Sequence, residues 1–307
     1  MSEAPTLNMA DFEPQDLALE DIDVSQRSIW IEDKKMAFFD RLRDEAPVHY
    51  CKDSEYGPYW SVTRYKDIME IDGNWQDFSS EPAITILEPE EDFPLPMFIA
   101  MDPPVHDEQR KTVQGSVAPA NLKLMEETIR SRTQQVLDDL PVGEQFDWVD
   151  RVSIELTTQM LATLFDFPFE DRRKLTRWSD VATGDEESGI VESEEARQAE
   201  LYECLEYFTR LWHEREENGE RNDLVSMLAN GEATKNMSPQ EYLGNLILLI
   251  VGGNDTTRNS MTGGVWALNQ NPGEYAKLRN NPGVIPNMVS EIIRWQTPLA
   301  HMRRIAN

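Results

Sequence analysis

The sequence is poor in the residues that most often announce a metal site or a disulfide framework. It has two cysteines, Cys51 and Cys204, and four histidines, His49, His106, His213 and His301, in 307 residues. Two cysteines so far apart offer neither zinc spacing nor a disulfide scaffold, which fits a reducing compartment, with the cytoplasm as the default location. No histidine has a glutamate three residues before it, so the E-x-x-H ligand pair of a di-iron bundle is missing. A catalytic metal held by side chains alone is therefore not expected. Long apolar runs are also scarce: residues 246–251 form the most apolar one, far short of the ~20 residues that cross a bilayer. Residues 1–33 have neither a basic leader nor an apolar core, which excludes a signal peptide and predicts an acidic, solvated arm. Positive charge is outnumbered, with 29 basic against 57 acidic residues and a formal charge of −28. Such a field repels phosphate backbones and anionic headgroups, so nucleic acid is excluded as a partner and no membrane anchor is expected. Phosphate-binding G-x-x-x-x-G-K-[ST] and G-x-G-x-x-G loops and the G-x-S-x-G elbow are absent as well.

What is present is mostly helical punctuation. Met36, Phe39, Leu42 and Arg43 recur at helical spacing over 34–46, and Pro47 ends the segment. Residues 48–50 and 59–63 are β-prone and flank the turn-forming Tyr56-Gly57-Pro58, which predicts a small hairpin lobe near 47–63. Residues 64–72 look helical again, and 80–101 form a long loop rich in proline and apolar residues. From about 103 to 296 the chain reads as almost wholly helical. Segments fall near 104–117, 119–139, 148–166, 169–182, 192–217, 222–230, 238–270, 272–280 and 284–296. Ser238-Pro239-Gln240-Glu241 opens the longest with an N-cap, a first-turn proline and a glutamate at the third position. Its apolar residues from Leu243 to Val251 lie nearly all round, so it should thread the interior. The acidic stretches 88–92 and 185–195 read as solvated loops.

Three short patterns carry chemistry. Gly252-Gly253-Asn254-Asp255-Thr256-Thr257 interrupts the long apolar helix. Two glycines inside a buried helix cost about 1 kcal/mol each relative to alanine, and a buried aspartate needs partners. Two readings compensate. Either the glycines allow close helix packing with the Thr256 hydroxyl bonded back to the Gly252 carbonyl, or they leave room for a ligand faced by Leu248, Gly252 and Thr256 at i, i+4 spacing. The second pattern, Glu291-Ile292-Ile293-Arg294, places two charges on one helix face. The same E-x-x-R spacing occurs at Glu127/Arg130, Glu170/Arg173 and Glu194/Arg197, where surface ion pairs are expected. The third is Asp102-Pro103-Pro104-Val105-His106-Asp107-Glu108-Gln109-Arg110, in which His106 and Arg110 project from one helix face.

The hexapeptide resembles the oxygen-binding motif of the cytochrome P450 family, a small residue followed by G-x-[DE]-T-T in the long central helix. The order and spacing of the other two patterns agree with that family along the chain from about residue 41 to 306. The resemblance implies a mainly α, prism-shaped P450 fold with a small β lobe, occupying residues 34–307 behind the acidic arm 1–33. It implies haem b, iron protoporphyrin IX, as cofactor, with Asp255 supplying protons and Thr256 hydrogen-bonding the activated dioxygen. Gly252 and Gly253 would lie against the haem, and His106, Arg110 and Arg303 would bind its propionates, with Arg304 able to compete for the place of Arg303. Glu291 and Arg294 take a structural ion-pair role, and Leu248, Val251 and Leu299 become substrate-lining candidates.

The motifs look most like those of bacterial soluble enzymes that hydroxylate terminal carbons of medium-chain alkanes and fatty acids. Dioxygen, an apolar small molecule, and a ferredoxin with its reductase are the implied partners. A relative acting on terpenes or other bulky apolar compounds, and a non-catalytic helical binding protein, are the alternatives. The chain departs from the family in one respect: the F-x-x-G-x-x-x-C-x-G loop with the iron-ligating cysteine is absent. The ending at Ala306-Asn307, within an expected strand, reads as a C-terminal truncation. A fragment of this kind is expected to fold poorly, to bind haem weakly or not at all, and to be inactive for want of its thiolate.

Overall fold

The cap read from the sequence at Ser238 is where the longest helix begins. In the computed structural model, which describes residues 7–218 and 221–307, Ser238 Oγ accepts the Glu241 N–H at 3.2 Å and opens α10, Pro239–Gln270. The Asp223 side chain caps α9, Leu224–Asn230, in the same way, accepting from Ser226 N at 2.9 Å. The chain divides into two compact units, Pro89–Met302 and a smaller one made of Met1–Glu88 with Arg303–Asn307.

The larger unit is helical. In chain order it contains α4 (Val105–Gln114), α5 (Pro119–Asp138), a π turn (Val149–Ile154) continuing into α6 (Glu155–Leu164), α7 (Arg173–Thr183) and α8 (Glu194–Asn218). Then come α9, α10, α11 (Pro272–Asn280) and α12 (Ile285–Gln296). The expected helix at 148–166 is present, but its first turn is π-helical. The core follows from apolar spacing. Leu201, Cys204, Phe208 and Leu211 form one stripe of α8, and Leu175, Trp178 and Val181 one stripe of α7. Both close on Leu243, Leu246 and Ile250 of α10. As expected for a threaded helix, α10 is buried at every residue from Tyr242 to Ile247. Asn245 lies there with no exposed surface, accepting the Phe98 N–H at 2.9 Å and donating to Gln109 Oε1 at 3.2 Å. That bond fixes the apolar loop 89–101 by its backbone. Residues 185–195 are largely exposed, although Val191 packs inward.

The smaller unit contains α1 (Arg27–Ile31), α2 (Lys35–Glu45), α3 (Tyr65–Gly73) and the hairpin β1 (Val48–Cys51) with β2 (Tyr59–Val62). The hairpin is antiparallel, with Val48 opposite Val62 and Cys51 opposite Tyr59, and Gly57 turns it at φ 79°. A second short ladder pairs β3 (Phe78–Ser79) with β4 (Ile305–Ala306), the strand expected near residue 306.

Two sequence expectations need correction here. Residues 7–33 are not a solvated arm: Met9, Ile22 and Ile29 are at most 1% exposed and pack with Leu17, Val24, Phe38 and Leu42. Short 3-10 turns at Met9–Asp11, Pro14–Asp16 and Leu19–Asp21 break the segment, and the buried residues Met9, Leu17, Ile22, Val24 and Ile29 fall in or between them and in α1, so they show no period, and their acidic neighbours dominate the composition. Even Asp23 is buried, with Tyr59 donating to its Oδ1 at 2.8 Å. The inward face of α2 is Phe38 and Leu42, with Met36 exposed, because the seam is set by Ile29 and the N-terminal residues beside it.

Candidate active site

The hexapeptide lies where α10 packs on α6 and α7, and its two glycines do different things. A Cβ on Gly253 would stand 2.6 Å from Leu161 Cδ2 of α6, so that residue is needed for close packing. A Cβ on Gly252 would meet nothing within 4 Å, leaving open space beside the helix. Thr256 Oγ–H donates to the Gly252 carbonyl at 3.0 Å. The packing reading therefore holds at Gly253, while room for a ligand exists at Gly252.

Asp255 has three donors on one oxygen. Its Oδ1 accepts from Ser179 Oγ at 3.0 Å, from Arg258 Nη2 at 2.8 Å and from Asn254 Nδ2 at 3.3 Å. Arg258 also reaches Asp180 Oδ1 at 3.0 Å, so α7 and α10 share a carboxylate–guanidinium–carboxylate chain. Burial of the carboxyl, whose side chain is 18% exposed, outweighs Arg258 and raises its pKa above the ordinary aspartate value. Asn254, fully buried, accepts from Thr157 Oγ of α6 at 2.8 Å. Sequence reasoning missed Ser179, Asp180, Thr157 and Arg258, and it gave no role to Asn254 within the hexapeptide. Only Arg258 carried a signal, as an i, i+3 partner of Asp255.

The remaining candidates fall on both units. In the larger one, His106 and Arg110 share α4. His106 Nδ1–H donates to the Phe98 carbonyl at 2.8 Å, and Arg110 is exposed. Leu248 and Val251 are half-buried against the core, whereas Leu299 is 58% exposed. Arg303 belongs to the smaller unit, where its guanidinium donates to Glu88 Oε1 at 2.6 Å and to the Leu87 carbonyl at 3.3 Å. Arg304 pairs instead with Asp72. Glu291 and Arg294 form a two-bonded pair at 2.7 Å on the exposed face of α12. Of the other E-x-x-R spacings only Glu194/Arg197 pairs as written. Arg130 takes Glu126 one turn back, and Arg173 turns to Asp150 and Glu155, because nearer carboxylates outcompete the i−3 partner.

A flat, apolar group with an iron centre is partly provided for. The open space at Gly252 and the hydroxyl of Thr256 suit its distal side, but neither cysteine suits a thiolate ligand. Cys51 is buried, and its thiol is pushed up to about 11 by that burial and by Asp23. Cys204 has no exposed surface on α8, and burial raises its thiol well above the usual value. Among the described residues no group of three or more His, Cys, Asp or Glu side chains could hold a metal, and no helix is long and apolar enough to cross a membrane.

No protein-family model matches the chain. Among curated proteins, the linalool 8-monooxygenase of Pseudomonas putida is 31% identical over 280 residues, covering 87% of this chain and 69% of that protein. A methyl-branched lipid omega-hydroxylase of Mycobacterium tuberculosis is 28% identical over 306 residues, covering 95% and 71%. The chain thus spans about two thirds of the length of these relatives. Among solved structures, cytochrome P450-153 from Novosphingobium aromaticivorans superposes with a TM-score of 0.84 at 48% identity, over 92% of this chain and 72% of that one. Shared residues and a shared helical architecture over that span lead to one conclusion: the chain belongs to the cytochrome P450 family of haem-dependent monooxygenases, oxidoreductases that use dioxygen and external electron donors.

Proposed function

We propose that the chain is the oxygen-handling part of a P450 that hydroxylates aliphatic C–H bonds, above all the terminal carbon of medium-chain alkanes or fatty acids. The overall reaction joins R–H, dioxygen, two electrons and two protons to give R–OH and water. The observation that carries this reading is the adjacency of the largely buried Asp255, whose pKa burial raises, to the Thr256 hydroxyl beside the open space at Gly252. Haem, when bound, supplies the redox centre at which dioxygen is reduced and split.

The chain's own residues manage protons and position. The single proton of Thr256 Oγ is given to the Gly252 carbonyl, so the hydroxyl can accept a hydrogen bond as it stands. Donating requires it to rotate away from that carbonyl, at a cost of about 1 kcal/mol. Asp255 holds its proton to higher pH than a solvated aspartate, which suits a donor that must refill Thr256. His106, Arg110 and Arg303 would hold the haem propionates. His106 has already committed Nδ1–H to Phe98, so it can donate to a carboxylate only through Nε2 of the doubly protonated ring. On Arg303 the Glu88 carboxylate takes Nη2 and the Leu87 carbonyl Nη1, the two arms of the fork that a propionate would take. Glu291 and Arg294 keep a folding role, and the iron's thiolate comes from neither Cys51 nor Cys204.

Leu248, Val251 and Leu299 are the proposed substrate contacts. The exposed acidic residues of 185–195 would repel free carboxylates at the entrance and favour neutral alkanes. Electrons would come from a ferredoxin and its reductase, in the cytoplasm, a setting supported by two unpaired cysteines. A second reading, an apolar terpenoid such as linalool as substrate, is favoured by the 31% identical relative.

The test is turnover of octane, octanoate and linalool by the full-length protein, with wild-type and Thr256→Ala forms compared. Terminal alcohol from octane should dominate, and Thr256→Ala should divert reduced oxygen to hydrogen peroxide, lowering alcohol formed per electron at least about tenfold. Equal use of octane and octanoate would overturn the entrance charge effect, and linalool as sole substrate would favour the second reading. Unchanged coupling in Thr256→Ala would remove Thr256 from the mechanism.

A further inference from the structure

Away from α10, the residues Arg132, Arg151, Arg172 and Arg173 line one cleft of about 380 Å³ between α5, the π turn and the approach to α7. In a chain of formal charge −28 this grouping runs against composition. Two of the four are balanced. Arg172 grips Glu155 Oε1 through Nε at 3.1 Å and Nη2 at 2.9 Å, and Arg173 takes Glu155 Oε2 at 2.8 Å and Asp150 at 3.0 Å. The other two have no ion pair among the described residues. Arg132 donates to the Gln159 carbonyl at 2.6 Å and to Thr163 Oγ at 2.5 Å, and Arg151 only to the Asp139 carbonyl at 3.3 Å.

The geometry also crowds like charges. The guanidiniums of Arg132 and Arg172 lie 5.6 and 4.3 Å from the centroid of one ring, Phe169, which gathers two cations of which only Arg172 has a carboxylate partner. Burial lowers the Arg132 pKa, the response of a cation that lacks compensation. Arg151 stands on the π turn, a rare element that recurs at functional sites because its wider turn re-aims a side chain.

We propose that this cleft binds a compact oxyanion carrying two or more negative charges, a phosphate or a dicarboxylate, held by Arg132 and Arg151 with Arg172 and Arg173 at its edge. Guanidinium forks suit such oxygens because they donate two parallel N–H bonds. Arg132 and Arg172 are already oriented by Thr163, Gln159, Glu155 and Phe169, so little side-chain freedom remains to be lost on binding. Occupancy would tie α5 to the start of α7, whose other end carries Ser179 and Asp180.

Isothermal titration of the purified chain at low ionic strength with sodium pyrophosphate and with sodium malonate tests this, with sodium chloride at matched ionic strength as control. One saturable site for either anion is expected, weakened about tenfold or more in Arg132→Gln and in Arg151→Gln. Arg130→Gln, at an exposed arginine paired with Glu126 on α5, should bind as the wild type does. Binding by pyrophosphate alone assigns a phosphate, and by malonate alone a dicarboxylate. No saturable heat with either anion, or the same affinity in Arg151→Gln as in the wild type, would overturn the proposal. Should Arg132→Gln lose its circular dichroism, the exposed Arg151 decides the matter.

Discussion

One methyl group, placed at Gly252 or at its neighbour, separates the two faces of α10. Alanine in a helix interior is favoured over glycine by about 1 kcal/mol, chiefly because the unfolded chain loses freedom. At Gly252 nothing lies within 4 Å of the new Cβ, so Gly252→Ala should stabilise the chain by close to that full amount. At Gly253 the same gain is set against Leu161, whose Cδ2 would be 2.6 Å away and which is only 2% exposed. Forcing a methyl into a filled core costs about 1–3 kcal/mol, so Gly253→Ala should range from neutral to about 2 kcal/mol destabilised. The two variants should therefore differ by about 1–3 kcal/mol in urea unfolding followed by far-ultraviolet circular dichroism. Equal midpoints, or Gly253→Ala the more stable, would refute the assignment of one glycine to packing and the other to open space.

Asp255 predicts a pH dependence. Its folded pKa is raised, chiefly by burial, so the stability it contributes is complete below the unfolded aspartate value and is lost as pH rises through the folded one. Asp255→Asn should accordingly be most stabilised relative to wild type at neutral pH, with the advantage shrinking in acid; a pH-independent difference in urea midpoint would count against this. Asn245→Ala strips the Phe98 N–H and Gln109 of a fully buried partner and should cost about 2–3 kcal/mol, lowering Tm by several degrees and speeding proteolysis within 89–101. An unchanged Tm would mean that this bond does not hold the loop.

The helices were legible because their ends are local chemistry. Ser238, Pro239 and Glu241 mark the start of α10 without reference to any distant residue, and the cap forms as written. The hairpin was legible for the same reason, through Gly57 and its flanking β-prone residues. The N-terminal segment was not, because Met9, Leu17, Ile22 and Ile29 have no common period and are buried one at a time by α2. Within the site, Thr256 and Asp255 were found from the motif, while Ser179 and Asp180 lie more than 70 residues away and reach Asp255 and Arg258 only through the packing of α7 on α10. The ion pairs show the limit of spacing rules: Glu170/Arg173 satisfies the same pattern as Glu194/Arg197, yet Arg173 pairs elsewhere.

The polar ties along α10 amount to a setting of rotational phase. Each residue advances the helix by about 100°, so sliding the chain by one position would swing Thr256 by more than a quarter turn. Asn254 on Thr157, Asp255 on Ser179 and Arg258 on Asp180 act as teeth that mesh at one angle. At any other angle the buried Asn254 amide and Ser179 hydroxyl would lose their partners, a penalty that apolar packing, indifferent to small rotations, does not impose. The direction in which Thr256 faces is thus decided by side chains on α6 and α7, and substitutions at Thr157 or Ser179 should misalign the hydroxyl while leaving the hexapeptide itself intact.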